Sequence, residues 1–226
     1  MRLLLILPLV VAAACTDFAT PAQLERATIV AVVADPPIVA PGDEARITVV
    51  VADATGVLTT LPTRWELGEA FPGVAPMGTL TSDADGATYT APTMVPPRPD
   101  RVPAIDAIAV TVDTADGSLT ALKAMAVAAT TANPTITALA VGAGDGLAGP
   151  IAVTKGQTLA LSVTTDPAPG ADARFAWYTP VGAIQYYQSN PCELIIDDDA
   201  TTGPLVIVVR DGVGGVAWHA VTLQVQ

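Results

Sequence analysis

Short runs of alternating hydrophobic and polar residues follow one another along most of the chain, separated by clusters of glycine, proline and aspartate. In one run Ile47, Val49 and Val51 fall on one face of an extended strand. Arg46 and Thr48 fall on the other face, so this strand is predicted to be half-buried. Beyond the apolar N-terminus, no segment sustains an apolar helical period with a cap at each end. The pattern therefore predicts an all-β protein.

The same order of features occurs twice along the chain. Trp65 lies 23 residues after Gly42 in the first half, and Trp177 lies 21 residues after Gly156 in the second. Each half then closes with an alternating strand, a turn rich in aspartate and glycine, and a final strand. A two-copy repeat of this kind indicates two domains of one architecture. The predicted divisions are a first domain at residues 27–129, a linker at 130–134 and a second domain at 135–226.

The N-terminus has the organisation of an export signal. Arg2 precedes an apolar run that ends in Ala12, Ala13 and Ala14, directly before Cys15. The run is shorter than the roughly 20 residues that a membrane-spanning helix needs. Small residues leading into a cysteine resemble the lipobox of bacterial lipoproteins, in which the cysteine becomes the lipidated first residue of the mature chain.

This resemblance implies a signal peptide at residues 1–14, a lipid such as palmitate on Cys15, and a tether at residues 15–26. The alternative is ordinary signal cleavage near the alanines, which leaves a free thiol at Cys15. Both alternatives place the mature chain outside the cytoplasm. In a cell with two membranes, Thr16 after the cysteine favours the outer membrane, because aspartate there is associated with inner-membrane retention.

Trp65 and Trp177, each on the third predicted strand of its half, are expected to lie in the cores. Short strands at turn-marked intervals with such a buried tryptophan predict a Greek-key sandwich of immunoglobulin type in each half. The first half carries Pro41-Gly42, Trp65, residues 86–92 and the turn Asp116-Gly117. Together these look like bacterial Ig-like domains. Through Trp177 and residues 209–212, the second half resembles the same group or the related PKD-like domains. The resemblance implies two tandem Ig-like β-sandwiches and carries no activity with it.

The charge of the chain limits its partners. Asp and Glu number 22 against 10 Lys and Arg, which gives a formal net charge of −12 at pH 7. An acidic surface repels phosphate backbones and anionic lipid head groups. We therefore expect no nucleic-acid partner, and we expect the protein to attach to the membrane through the lipid on Cys15.

The residues needed for common enzymatic chemistry are scarce. His219 is the only histidine, and its parity on the last predicted strand points it towards the sandwich interior. No Gly-x-Ser-x-Gly elbow is present to supply a nucleophile. One histidine and the spare Cys192 cannot assemble a usual zinc site, and Cys192 is expected to be a small buried hydrophobe. We therefore expect no catalytic residue, no cofactor and no enzyme.

Three acidic clusters are candidate calcium ligands. The three clusters are Asp83 with Asp85, Asp113 with Asp116, and residues 197–199. Each offers several oxygen ligands, but none continues into an EF-hand loop. Ordinary turn chemistry accounts for the same residues, since Asp-Gly is common in hairpin turns. No metal ligand is therefore assigned.

Aromatic residues concentrate in the second half, and they are the candidate ligand-facing residues. They are Tyr178, Tyr186, Tyr187 and Trp218. An exposed aromatic patch there would bind a glycan or a protein of the envelope. The competing interpretation is ordinary loop packing.

The sequence predicts a non-catalytic lipoprotein of the cell envelope, anchored through Cys15, that acts as a binding or adhesion module or as a spacer. The alternative is an accessory or carbohydrate-binding subunit of a larger envelope complex. The ligand or partner is left open.

Overall fold

The computed structural model describes residues 21–97 and 102–226, and within these ranges the chain forms strands and turns without a helix. The strands of the first domain are β1 (Thr28–Asp35), β2 (Ile38–Val39), β3 (Glu44–Asp53), β4 (Gly56–Leu58), β5 (Thr63–Gly68), β6 (Thr79–Asp83), β7 (Gly86–Thr90), β8 (Ile105–Thr114) and β9 (Gly117–Val127). Those of the second are β10 (Thr135–Val141), β11 (Gly144–Asp145), β12 (Ile151–Val153), β13 (Thr158–Asp166), β14 (Arg174–Tyr178), β15 (Gly182–Gln185), β16 (Cys192–Ile196), β17 (Gly203–Arg210) and β18 (Val216–Val225).

Both domains have the strand order of an immunoglobulin sandwich. In the first, one sheet runs β1-β3-β7-β6 and the other β2-β9-β8-β5. In the second, the corresponding orders are β10-β13-β16-β15 and β12-β18-β17-β14. In immunoglobulin lettering these are the A-B-E-D and A′-G-F-C sheets, with the short A′ strand parallel to G in each domain. The prediction of two tandem Ig-like β-sandwiches is confirmed.

Each sandwich has its own core. Trp177 on β14 is fully buried in the second domain, and its indole Nε1 donates to the Ser189 carbonyl at 3.0 Å. In the first domain Tyr89 is fully buried, and its hydroxyl donates to the buried carboxylate of Asp106 at 2.7 Å. That carboxylate also accepts the backbone N–H groups of Met77 and Gly78, so hydrogen bonds compensate for its burial.

The two sandwiches pack face to face through an interdomain cluster of apolar side chains. Its members are Leu24, Val30, Ala31, Val50 and Ala52 from the first domain and its leading segment, and Val206, Val208 and Val216 from the second. The outer face of one A-B-E-D sheet thus covers the outer face of the other domain's A′-G-F-C sheet. The prediction of a half-buried β3 is wrong over its C-terminal half, because Val50 and Ala52 are buried by the second domain.

Hydrogen bonds cross the same junction in both directions. Lys123 of the first domain donates from Nζ to the Gly214 carbonyl at 2.6 Å. Arg210 of the second domain donates from Nη2 to the Val30 carbonyl at 2.9 Å.

The side chain of Asn133, in the predicted linker, bonds both domains. Its Nδ2 donates to the Ala34 carbonyl at 2.8 Å, and its Oδ1 accepts the Val216 N–H at 2.9 Å. The linker is therefore integrated into the junction, and the domains are held in one arrangement by both apolar packing and polar contacts.

The described part of the predicted tether is packed against the second domain. Ala22 and Leu24 are buried, and they bracket Thr179 in backbone hydrogen bonds. The Thr179 N–H donates to the Ala22 carbonyl at 2.9 Å, and the Leu24 N–H donates to the Thr179 carbonyl at 3.3 Å. Two apolar side chains in an otherwise polar segment supply the burial that holds it in place.

The predicted signal peptide and Cys15 lie outside the described residues. Within the described ranges, no helix has the length and apolar character that crossing a bilayer requires.

Candidate binding cleft between the two domains

The two domains form a cleft of about 430 Å³ where the open edge of the first sandwich meets the last strand of the second. We call it the tryptophan cleft. Its principal lining residues are Thr48, Val49, Leu58, Thr60, Trp65, Asp85 and Trp218. Only Trp218, on β18, comes from the second domain. Apolar and aromatic side chains with a few hydroxyl groups are the usual lining of a ligand site.

The pairing of β3 explains why the cleft is there. β1 occupies one edge of β3, so β7 and β4 must both pair along the other edge. β7 pairs with residues 44–47 and β4 with residues 51–53. The gap between these two strands leaves residues 48–50 without a neighbouring strand on that edge, and the cleft opens there. Thr60, with a φ of 65°, turns the chain from β4 towards β5.

The two tryptophans of the cleft have different environments. Trp218 is 38% exposed and pairs across the sheet with Val208, on the outer face of the second domain. Trp65 is half-buried, and it contacts the core of the first domain as well as lining the cleft. The Nε1 atom of Trp65 is buried and has no hydrogen-bond acceptor within residues 21–97 and 102–226.

An ion pair fixes the hairpin turn at the rim of the cleft. Arg46 on β3 donates to both carboxylate oxygens of Asp83, at 2.7 and 2.6 Å. The hydrogen bond from Arg46, together with one from the Asp85 backbone, lowers the pKa of Asp83 to about 2. Asp83 thus fixes the turn between β6 and β7, and Asp85 within this turn lines the cleft.

The four candidate aromatics occupy three different environments. Tyr178 and Trp218 lie on the outer face of the second domain's A′-G-F-C sheet, where Tyr178 packs against the interdomain cluster. Tyr187 packs against the core of the second domain. Tyr186 is 78% exposed and has a φ of 57° in the connection between β15 and β16. Of these four residues, Trp218 lines the tryptophan cleft.

His219 and Cys192 have structural environments. The His219 ring lies 3.1 Å from the Gly146 carbonyl through Nε2, and its cross-strand partner is the core residue Ile207. Cys192 is buried in the core of the second domain, as predicted. Burial, and secondarily the charge of Glu193, raises the pKa of the Cys192 thiol to about 12.

The acidic clusters participate in turns. Asp83 accepts the Asp85 N–H at 2.8 Å, and Asp113 accepts the Ser118 hydroxyl at 2.6 Å. Residues 197–199 lie in a turn that is closed by the hydrogen bond from the Ala200 N–H to the Asp197 carbonyl at 3.2 Å. Within the described part of the chain, no three His, Cys, Asp or Glu side chains are grouped so that they could hold a metal ion.

Sequence reasoning missed two features of this junction. It placed Trp65 in a core, whereas the ring also lines the cleft. The closing strand of the second half, which was predicted to alternate, includes residues 205–209, and all five of these side chains are buried. The available signal was the unbroken apolar run Leu-Val-Ile-Val-Val, which is typical of a strand covered on both faces.

No protein-family model matches the chain, and no curated protein matches it. Among solved structures, the N-terminal Ig1-2 module of the Drosophila receptor protein tyrosine phosphatase DLAR is similar at 12% identity and a TM-score of 0.33, covering 88% of this chain and 98% of that one. A chimeric titin Z1Z2 is similar at 17% identity and a TM-score of 0.27, over 90% of this chain and 98% of that one.

A third similar structure is a nucleoside hydrolase-related hypothetical protein from Saccharophagus degradans, with 16% identity and a TM-score of 0.34. The similarity covers 43% of this chain and 26% of that one. At these values the likenesses carry no argument about function.

Proposed function

We propose that this chain is a non-catalytic binding module of the bacterial cell envelope, carried on a lipid at Cys15. The sequence of residues 1–15 supports export and attachment. The tandem Ig-like fold is compatible with a module that binds or spaces, because such sandwiches host many functions without chemistry of their own.

The observation that carries the binding function is the joint construction of the tryptophan cleft. Trp218 of the second domain lines the same cavity as Trp65 of the first, so the cleft has its complete lining only while the domains are docked. The interdomain cluster and the Asn133 bonds supply that docking. A spacer has no use for a cavity lined from two domains, so the shared lining favours a binding module over a spacer. The cleft volume also lies within the range of about 300–1,000 Å³ that is usual for ligand pockets.

The second candidate function is that of a carbohydrate-binding accessory subunit. Two tryptophan rings share the cleft with the hydroxyl-bearing side chains of Thr48, Thr59 and Thr60. Aromatic faces combined with hydroxyl groups suit a neutral, amphipathic ligand such as a sugar. This candidate uses the same cleft and differs only in the ligand.

Site-specific photo-crosslinking in intact cells tests the binding function. A crosslinking amino acid at Thr59, which is exposed and lines the cleft, should capture a partner or glycan. The matched control is Thr158, an exposed threonine on β13 of the second domain. Capture at Thr59 should be lost in a Trp218→Ala background in which thermal unfolding shows the fold intact. Equal capture at both positions, or none at Thr59, would contradict binding through the cleft.

The attachment is tested separately. Cys15→Ser should release the protein from the membrane fraction, because it removes the acylated thiol. A variant that still sediments with membranes would contradict the lipid anchor and leave the cleft test unaffected.

A further inference from the structure

A second cavity, of about 410 Å³, lies elsewhere on the domain junction and is unlike the tryptophan cleft. We call it the cationic groove. It is lined by Lys123 on β9, by Arg174 and Arg210 on β14 and β17, and by β1 and the loop after β17. Arg174 and Arg210 are direct cross-strand partners, so their side chains leave the same face of the sheet. Three cations therefore converge in a chain that carries only 10 Lys and Arg and a net charge of −12.

None of these three cations forms an ion pair with a carboxylate in the described ranges. The ion pairs there are Arg46–Asp83 and Arg64–Asp113, both outside the groove. The backbone acceptors of the three are uncharged carbonyls. Lys123 donates to Gly214 at 2.6 Å, Arg210 to Val30 at 2.9 Å, and Arg174 to the adjacent Ala173 at 3.0 Å. Arg210 also hydrogen-bonds the Tyr178 side chain, which is likewise uncharged. Most of the N–H donors of the three cations therefore remain available for a ligand.

The acidic side chain whose charge acts on Lys123 is already engaged. Asp211 follows Arg210, and its Oδ1 accepts the N–H groups of Val213 and Gly215, both at 2.8 Å. Its charge acts on Lys123, but the burial of Lys123 outweighs it and lowers the pKa of the ammonium group. Lys123 is only 8% exposed. A buried ammonium with a neutral acceptor is costly unless an opposite charge joins it.

Holding the domains together does not require this charge. A neutral amide side chain bonds backbone carbonyls equally well, as Asn133 does at the same junction. Like charges on directly opposed residues are also destabilising in an antiparallel pair. Convergent cations with free donors are, by contrast, the usual construction of a site for carboxylate or phosphate oxygens.

We propose that the cationic groove binds an oxyanion, the carboxylate or phosphate group of a small ligand, between the two domains. Lys123 supplies a desolvated point charge, and the two guanidinium groups supply paired donors from β14 and β17. Leu122, which is 74% exposed at the groove, offers apolar contact to the uncharged part of the ligand. This site is independent of the tryptophan cleft and does not depend on the function proposed for that cleft.

Calorimetric titration of the full-length chain tests the proposal with two probes, sodium phosphate and sodium acetate. Sodium chloride at the same ionic strength accounts for general screening. Saturable binding of either probe is expected. Tighter phosphate binding assigns a phosphate ligand, and tighter acetate binding assigns a carboxylate ligand. No saturable binding of either probe would overturn the proposal.

Two charge-matched variants locate the binding. Arg174→Gln removes a cation whose bond in the described structure is to its own neighbour, so the fold should be retained. It should weaken binding by about tenfold or more, since it deletes charge-assisted donors. Arg64→Gln makes the same change at an exposed arginine on β5 outside the groove and should bind as the wild type. Equal weakening by both variants would mean non-specific attraction and would overturn the site.

The two lysines of the chain provide a second readout. Acylation of Lys123 by acetic anhydride should slow when the bound probe covers its Nζ. Lys155 is exposed and lies outside the groove, so its rate should not change. Protection of both lysines, or of neither, would contradict binding at Lys123.

Discussion

Trp65 and Trp177 occupy equivalent positions on the C strands of the two sandwiches, yet only the Trp177 indole has a hydrogen-bond acceptor among the described residues. Each pairs with a core residue of the neighbouring F strand, Trp65 with Val110 and Trp177 with Ile207. Trp177 is fully buried, whereas Trp65 is half-buried beside the cleft. The two tryptophans are equivalent in the sequence repeat but differ in the structure. Trp177 is a core residue, whereas Trp65 also lines a surface cleft.

Replacing these tryptophans by phenylalanine should have unequal effects on stability. Trp177→Phe removes a 3.0 Å hydrogen bond and leaves a cavity, so the free energy of unfolding should fall by about 2–3 kcal/mol. Trp65→Phe removes a polar atom that has no described acceptor, so the fall should stay below about 1 kcal/mol. Urea unfolding of the two variants measures both values. An equal or larger loss at Trp65 would contradict the environments described.

The glycine that opens β7 should be intolerant of a side chain. Gly86 has a φ of 152°, and a Cβ atom there would collide with the Ile47 carbonyl oxygen on β3. Gly117 is the matched control, since it opens β9 after an equivalent turn, has a φ of 126°, and has open space around a Cβ.

Gly86→Ala should therefore destabilise the protein by about 1–3 kcal/mol more than Gly117→Ala, because only the first adds a backbone collision to an unfavourable φ. Thermal unfolding of the two variants measures the difference. Equal melting temperatures would show that β3 and β7 are not packed as closely as described.

Docking of the two domains should make them unfold together. Val208 is fully buried in the interdomain cluster, so Val208→Asp places a charge in an apolar interface and should cost about 3 kcal/mol or more. We expect the single transition of the wild type to separate into two in calorimetry. Val213→Asp, at a 66% exposed valine of the same domain, should leave the transition single. Two transitions in the wild type would contradict the coupling.

Cys192 should give stability a specific dependence on alkaline pH. Its pKa of about 12 in the fold exceeds the value of roughly 8.5 for an unfolded cysteine, so the unfolded chain loses this proton first. Stability from this group is complete below the unfolded pKa and is lost as pH rises towards 12. In a Cys15→Ser background, Cys192→Ala should reduce the alkaline fall in unfolding free energy. An identical fall in both proteins would contradict the buried environment of the thiol.

The Ig-like fold could be predicted from the sequence because the residues that determine it act locally. Trp177, the alternating runs and the Asp-Gly turns each restrict a few neighbouring residues, and together they specify the sandwich. The buried state of Cys192 also followed, since its environment is the core of its own domain.

The junction could not be predicted from the sequence. The alternation of residues along a strand identifies the face on which each side chain lies, but it says nothing about what covers that face. Tyr178 points outwards from its own sandwich, on the opposite face from the buried Trp177, but the first domain covers that face. The cationic groove joins Lys123 to Arg174 and Arg210 across 51 and 87 residues of chain. Only the docking of the two domains brings them together, and no local pattern encodes such distances.

Face-to-face packing of the sandwiches determines how far the module extends. Two Ig-like domains placed end to end would add their strand lengths, whereas these lie side by side as four stacked sheets. The longest strand, β9, has 11 residues, which corresponds to a height of about 36 Å. The second domain therefore adds to the width of the module across its sheets and not to its length along the strands. Along its strands the pair therefore extends by about one domain height, where an end-to-end pair would extend by two.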